Sequence, residues 1–573
     1  MKELFKNKFS TNISSSLLAT LVRYIPPNEF NEALIDIVNV LMDGLSRGVI
    51  YIDMREIPIN IELKYKGWPD FHRKILVASG WTEGSNSPIV LEGNRLSWRR
   101  TYNEKATTIQ KILTRNKPTN LPSKELNIQT NEKTFTKLNQ QQQKAVRLIK
   151  THRLILLSGG PGTGKTYTIL QMLLEAFKIN SSLNIAMAAP TGKAAKKLKD
   201  TMQEGIKDLD EPFKSKLTQI PSKTLHRWLE AGTNGFRRNS QRLLELDLIV
   251  VDEMSMVDLT IITGLLDALP KSCQIILVGD PDQLLPIGSG GIWQILQSNE
   301  MKKHFLSNSV KLTKSYRNKG DIALLRNTLK NKGLDAFWHT LSISKNSSNV
   351  YIQYSSRKNI PETIMHTLYN YKKELKILTK NCIPHIPYEA WQSSMIEIIP
   401  SKEILNLFNF INSLLVLCPQ RYGHWGIQKI HKLLLGEDLE SGNKYWGEGT
   451  PIMSKSNQPD LGLANGDIGI IIGQGEERRF LFNVFSEDQR QVTRLINPSR
   501  LNLFEPAYAM TIHKSQGSEA DQVLLLWPNS SKILKESNPI NSFSEDYEKR
   551  IIYTAITRAK KQLLVITNKD TDF

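Results

Sequence analysis

LILLSGGPGTGKTYTILQMLLEAF, residues 154–177, decides the fold. Leu154–Leu157 read as a buried strand. The chain then enters Gly159-Gly160-Pro161-Gly162-Thr163-Gly164-Lys165-Thr166, and Leu170, Leu173, Leu174 and Phe177 fall on one side of a following helix. Glycines let the backbone curl until its N–H groups point at one anion, and the helix N-terminus adds positive potential there. This is the G-x-x-x-x-G-K-[ST] pattern in its strand–loop–helix context. Lys165 is expected to reach the β- and γ-phosphates of ATP, and Thr166 to give a hydroxyl to Mg²⁺.

Two more apolar strands follow. Leu246–Val251 ends in Asp252-Glu253, and Gln274–Val278 leads into Gly279-Asp280-Pro281-Asp282-Gln283-Leu284. Asp252 is expected to hold Mg²⁺ through a water, Glu253 to orient and deprotonate the attacking water, and Gln283 to sense the γ-phosphate. Short apolar strands alternating with helices predict an α/β fold with a parallel sheet and ligands at the strand C-termini. Just upstream runs Leu138-Asn139-Gln140-Gln141-Gln142-Gln143-Lys144-Ala145. A Gln run is commonly a solvated helix face. Placed before the first strand, the Gln142 amide can read an adenine edge.

Further stretches give the nucleotide a use. Ala189-Pro190-Thr191-Gly192-Lys193-Ala194-Ala195 and Thr224-Leu225-His226-Arg227-Trp228-Leu229 follow the loop. Later come Leu312-Thr313-Lys314-Ser315-Tyr316-Arg317, the run Tyr508 to Glu519, and Ile552-Tyr553-Thr554-Ala555-Ile556-Thr557-Arg558-Ala559. In this order, across residues 138–559, the series resembles the motor motifs of superfamily 1 DNA helicases. The resemblance implies two RecA-like P-loop motor domains with ATP between them, and Arg317 and Arg558 as arginine fingers. A planar, always-charged guanidinium suits a transferring phosphoryl group. The resemblance also puts Thr191, His226, Thr511 and His513 on DNA, and Gln516, Gly517 and Glu519 toward the nucleotide. A serine hydrolase reading of His513 and Ser515 fails, because no nucleophile elbow surrounds Ser515 and no acidic orienter for His513 is identifiable.

Within the superfamily, the AxTGKAA and TLHRWLE stretches resemble the 5′→3′ branch and its RecD family, alpha subunits of the helicase–nuclease exodeoxyribonuclease V. Pro88–Leu96 and Trp98-Arg99-Arg100 resemble the end of that family's N-terminal domain. The implied partners are RecB-like and RecC-like subunits in a heterotrimer, a 5′-ended single strand and duplex DNA ends. The implied role is ATP-dependent 5′→3′ translocation in double-strand break repair and homologous recombination. The expected organisation is a small helical N-terminal domain over residues 1–115 that docks on the other subunits, a linker over 116–135, a first motor over 136–307 and a second over 308–573. An SH3-like β insertion is expected at about 430–500, with the second motor's strands at Leu414–Leu417, Val523–Trp527 and Leu563–Thr567. GTNGFRRNS, residues 232–240, sits where the family has a duplex-splitting pin. Phe236 there reads either as a base contact or as part of a plain surface loop.

The chain as a whole is consistent with this. At 573 residues it is too long for one core. Its 40% apolar and 23% charged composition is ordinary for a folded protein. A net charge of +19, from 75 Lys+Arg against 56 Asp+Glu, fits a polyanion partner, but AT-rich codon usage would also enrich Lys. No apolar run is long enough to span a bilayer and no convincing export signal opens the chain, so no membrane is expected. Cys273, Cys382 and Cys418 are odd in number and far apart. Cys382 and His385 have ligand-like spacing but no second pair to complete a tetrahedron. A cytoplasmic setting follows. No carboxylate–lysine cluster suited to two-metal cleavage is visible, so the nuclease is expected on another subunit. A stand-alone motor and an assembly subunit with a vestigial ATPase are the rival readings. The intact catalytic set argues against the second.

Overall fold

A computed structural model describes residues 12–55, 67–116, 138–207, 209–232, 235–286, 290–316, 320–344, 349–355, 360–440, 446–486, 490–528 and 545–568. The chain divides into two compact units. The first holds residues 1–190, 202–314 and 534–548, and the second holds 191–201, 315–533 and 549–573.

The chain opens with helices α1 (Asn12–Tyr24), α2 (Ala33–Ser46) and α3 (Asp70–Ala78) around a small antiparallel sheet of β1 (Ile52–Asp53), β2 (Ile89–Glu92) and β3 (Arg95–Trp98). Leu34, Ile37, Val38 and Trp81 form its core. Helix α4 (Arg99–Arg115) does not stay with this domain as the boundary at residue 115 predicted. It packs along α8 (Leu259–Ala268) of the first motor. Lys111 pairs with Asp267 at 2.6 Å, and Ile112 is fully buried in the motor's core. Arg115 donates to the carbonyls of Leu266, Leu269 and Pro270, at and just beyond the C-terminal end of α8, where a cation is favoured. The predicted linker lies outside the described residues apart from Asn116.

The first motor's sheet contains β4 (Leu154–Gly159), β5 (Ile185–Ala189), β6 (Ser222–Thr224), β7 (Leu248–Val251), β8 (Gln274–Gly279) and β9 (Ser309–Leu312). Their order is β9-β4-β8-β7-β5-β6, and every pairing is parallel. A strand buried on both faces must be apolar throughout, which is why LILL and LIVV carry no alternation. β7 starts two residues later than expected because Leu246 turns back onto the Leu244 carbonyl. The expected boundary at 307/308 is corrected to 314/315. β9 is hydrogen-bonded to β4 from Ser309↔Leu156 to Leu312↔Gly159, so it closes the first sheet. α5 (Gln140–Leu148) precedes β4, α6 (Lys165–Ile179) follows it, and α7 (Gly192–Ile206) follows β5.

The second unit has its own parallel sheet of β10 (Val350–Ser355), β12 (Leu414–Cys418), β18 (Met510–Thr511), β19 (Ala520–Trp527) and β20 (Ala559–Asn568), in the order β10-β20-β19-β12-β18. The chain enters β20 from α10 (Glu545–Ile556), and α9 (Ile427–Leu435) follows β12. Beside it stands a six-stranded antiparallel sheet of β11 (Met395–Ile398), β13 (Pro451–Ser454), β14 (Ile468–Ile472), β15 (Arg479–Phe485), β16 (Gln491–Ile496) and β17 (Phe504–Pro506). The insertion was expected at about 430–500. The sheet instead reaches back to Met395, which pairs with Ile496, and forward to Pro506, which pairs with Ile452. No described helix is long and apolar enough to cross a membrane.

Candidate active site

In the first unit, β4, β8 and β7 are neighbours, and the site residues follow their C-terminal ends. The phosphate loop leaves β4, Gln283 lies four residues beyond β8, and Asp252-Glu253 follow β7 directly. His226 follows β6 on the same edge, and Thr191, which opens the 191–201 segment of the second unit, comes two residues after β5. A parallel sheet gathers its ligands at this edge.

The loop suits a polyphosphate. Gly164 caps α6 at φ +80°, a backbone setting that glycine takes without strain. A Cβ at Gly159 would come within 2.7 Å of the Thr163 hydroxyl, so this position takes no side chain. Thr163 is buried, and its hydroxyl donates to the Gly160 carbonyl at 2.8 Å. The Lys165 ammonium folds over the loop and donates to the carbonyls of Gly159 and Gly160, at 2.9 and 3.2 Å. An anion in that curl would meet the ammonium and the first N–H groups of α6 together. Thr166 is partly exposed beside it.

The acidic pair is held by its own backbone. The Asp252 N–H donates to the Ala188 carbonyl, and the Glu253 N–H donates to Asp252 Oδ1 at 2.8 Å. Glu253 sits at φ +54°. A bulky residue in the left-handed region is strained, and such strain persists at functional sites. Gln283 is buried and donates to the fully buried Asp280 at 3.4 Å.

Two candidates take other places. Gln142 was expected to read adenine, but its Oε1 accepts from the Asn139 N–H at 3.1 Å and completes a capping box on α5. The neighbouring Gln141 bonds to Thr313 just beyond β9, at 2.9 Å to the backbone N–H. Phe236 lies on a two-stranded ribbon, Ala231–Gly232 with Gly235–Phe236. Its ring is so close to α8 that a Cβ at Gly264 would lie 2.5 Å away. The ring packs on the motor's core, because an aromatic gains more from apolar burial than from water. The reading of Phe236 as a base contact is corrected accordingly. Arg317 lies outside the described residues.

In the second unit, Tyr508 to Glu519 crosses β18 and a 3-10 turn, His513–Ser515. Ser515 is fully buried and donates to the Ile512 carbonyl at 2.7 Å, which disposes of a nucleophile there. Burial pushes the His513 pKa down to about 4, so near neutral pH its ring offers hydrogen bonds rather than charge. The Thr511 side chain is half-exposed. Glu519 pairs with Lys197 at 2.6 Å, so it does not stand as a carboxylate facing only a nucleotide. Arg558 is 2% exposed. Its guanidinium donates to the Thr554 carbonyl at 3.0 Å, the Ser518 carbonyl at 3.1 Å and the Thr557 hydroxyl at 3.4 Å. Among the described residues no carboxylate ion-pairs with it. Burial draws the pKa of Lys193 down to about 8, with Asp467 opposing and Lys197, Lys196 and Arg558 adding to the fall.

Sequence reasoning missed Glu505. Its carboxylate, 6% exposed, pairs with Lys514 at 2.5 Å and Arg421 at 2.7 Å, joining β17 to the turn at 513–515 and to the loop after β12. Nothing in LFEP signals this; only the fold brings the three segments together. Nearby, the Ala509 N–H donates to Nε2 of the buried His431 at 3.3 Å. Burial pushes the His431 pKa down to about 4, with Glu505 opposing and Arg421 and Lys514 adding to the fall. Between pH 6.5 and 4 the unfolded chain therefore binds more protons, so stability falls as pH falls. His431 is expected to contribute roughly 2 kcal/mol of the loss between pH 7 and 5, and His513, held near the same value, a similar amount. Thermal melts across that range check it. His431→Gln, which keeps an acceptor, is expected to remove about half of the slope and leave the share of His513; an unchanged slope would place the titration elsewhere.

Two family profiles match the chain. One is an AAA domain over residues 142–289, and the other a UvrD-like helicase C-terminal domain over residues 497–570. The RecBCD enzyme subunit RecD of Mycolicibacterium smegmatis is 28% identical over 546 residues, covering 92% of this chain and 88% of its own. That of Buchnera aphidicola subsp. Acyrthosiphon pisum is 28% identical over 524 residues, covering 85% and 82%. The ATP-dependent RecD2 DNA helicase of Deinococcus radiodurans is 26% identical over 440 residues, covering 74% of this chain and 48% of its own. With a profile on each motor half and the RecD likeness running across most of the sequence, this chain is similar to the RecD-like superfamily 1 DNA helicases over most of its length.

Proposed function

We propose that this chain is an ATP- and Mg²⁺-dependent motor moving 5′→3′ on single-stranded DNA, in the cytoplasm, as the RecD-like subunit of a RecBCD-type helicase–nuclease. The observation that supports it is the glycine-rich loop with Lys165, Asp252-Glu253 and Gln283 at one edge of a parallel sheet, in a chain that spans 88% of a RecD relative. Lys165 and the α6 N-terminus hold the triphosphate. Thr166 and Asp252 hold Mg²⁺, which neutralises charge developing on the transferred phosphoryl group. Glu253 takes the proton of the attacking water, and Gln283 reads the γ-phosphate. Arg558, with Arg317, stabilises the transition state. Thr191, His226, Thr511 and His513 contact the strand. The polarity, the RecB-like and RecC-like partners and the 5′-ended strand at a duplex end rest on the RecD relatives. So does the placement of the nuclease on another subunit.

Unwinding of duplexes carrying either a 5′ or a 3′ single-stranded tail tests the proposal. With ATP and Mg²⁺, activity is expected on the 5′ tail alone. Preference for the 3′ tail would overturn the polarity and the RecD-type role. Strong unwinding by the isolated chain would favour a stand-alone motor.

A further inference from the structure

We propose that the second unit carries a pocket for the phosphates of the tracked strand, walled by Arg421, Lys429 and Lys455, outside the motifs that define the motor. This deepens the function proposed above and rests on it. The pocket has a volume of about 470 Å³. That falls within the roughly 300–1,000 Å³ of ordinary ligand sites. The loop after β12 and helix α9 form one side, and β17 with Lys455, just past β13, forms the other.

Its charge is unbalanced. Arg421, Lys429, Lys432 and Lys455 line it against Glu440 and Glu505. Both carboxylates are already engaged: Glu440 with Lys432 at 2.5 Å, and Glu505 with Lys514 and Arg421. Lys429 and Lys455 ion-pair with no carboxylate among the described residues. A concave wall with surplus positive charge concentrates anions.

The remaining lining points to a nucleic-acid backbone rather than a free metal or an apolar ligand. Trp446 is 7% exposed, and its indole N–H meets no acceptor among the described residues. The ring is held edge-on to Phe504, centroids 5.6 Å apart. Outside the lining but next to Arg421 in the chain, Tyr422 is 69% exposed and offers a flat face to an unstacked base. Because Glu505 grips both Arg421 and Lys514, a strand in this pocket lies one ion pair from the 513–515 turn. Filling the pocket can thus bear on that turn without touching it.

The test is fluorescence anisotropy of a labelled oligothymidylate with the full chain over a KCl series. Lys429→Gln/Lys455→Gln is expected to bind roughly ten-fold more weakly, with a salt slope lower by about 1.4, or 0.7 for each phosphate no longer neutralised. Its melting temperature is expected to hold, since both lysines are outside the core. Lys373→Gln/Lys380→Gln, at exposed positions on the helix Glu362–Cys382, removes the same charge elsewhere and is expected to leave the slope alone. A wild-type slope in the pocket variant overturns the proposal, and so does an equal drop in the control. Displacement of the oligonucleotide by millimolar inorganic phosphate at constant ionic strength would reassign the pocket to free anions. If the wild-type chain binds no oligothymidylate at any salt, the functional reading itself fails, which is a distinct result.

Discussion

Arg558→Lys is expected to slow DNA-stimulated ATP turnover by about 10³–10⁵-fold, the range an arginine finger supplies in phosphoryl transfer. The finger role is the proposed one, and the immediate surroundings of Arg558 suit it. A guanidinium carries five donors in a rigid plane. Here two backbone carbonyls and a hydroxyl take three of them, and the group is 2% exposed. A charge held in place by neutral acceptors keeps its field and needs no reorganisation when negative charge develops nearby. Lysine keeps the charge but loses the plane, so it can neither satisfy the same carbonyls nor reach out in a fork. Steady-state ATPase with oligothymidylate gives kcat, and a fluorescent nucleotide gives affinity. Nucleotide affinity is expected to change only a few-fold. A kcat within ten-fold of wild type would remove Arg558 from the reaction and leave it a packing residue.

Glu253 gives the second large effect, with two parts that pull apart. Replacing it removes the proposed general base, and hydrolysis is expected to fall by about 10²–10⁴-fold in both Glu253→Ala and Glu253→Gly. The two variants should differ in stability. Position 253 sits at φ +54°. That region costs a non-glycine residue roughly 1–2 kcal/mol, which alanine retains and glycine releases. Glycine loses part of the gain to its freer unfolded chain. The glycine variant is therefore expected to melt above the alanine variant while being as inactive. Equal melting temperatures would mean the backbone relaxes once the side chain is gone, and the strain would belong to the carboxylate's own interactions. Activity surviving in either variant would sink the assignment of Glu253 as base.

The fold and much of the site were legible because they rest on local pattern. The phosphate loop needs glycines at fixed steps, an apolar strand before it and a helix after it, all within residues 154–177. The structure places strand, loop and helix there, and sets Asp252-Glu253 and Gln283 at the ends of neighbouring strands. The same holds for β12, β19 and β20, whose apolar runs only lengthen by a few residues at their ends.

Other outcomes depended on which surfaces meet. Phe236 is as polar-flanked in GTNGFRRNS as any loop aromatic, yet α8 offers Gly264 beneath it and the ring goes inward. Gln142 has the chemistry to read a base, yet an Asn three residues earlier claims its oxygen for a helix cap. Helix α4 reads as the end of one domain, but Arg115 finds the carbonyl ends of α8 and joins the next. Met395–Ile398 became an edge strand only because residues 493–496 lay open beside it. Glu505 drew Lys514 and Arg421 from separate loops. The sequence by itself determined the strand–loop–helix of the candidate phosphate site, the parallel sheets and the likeness to helicase motors, since each is written in residues close along the chain. Tertiary structure alone decided the domain joins, the antiparallel sheet's edges, the Glu505 clamp and the pocket beside it. Most of those pairings link residues tens to hundreds of positions apart, and no local periodicity records which apolar face or carbonyl a distant segment will find.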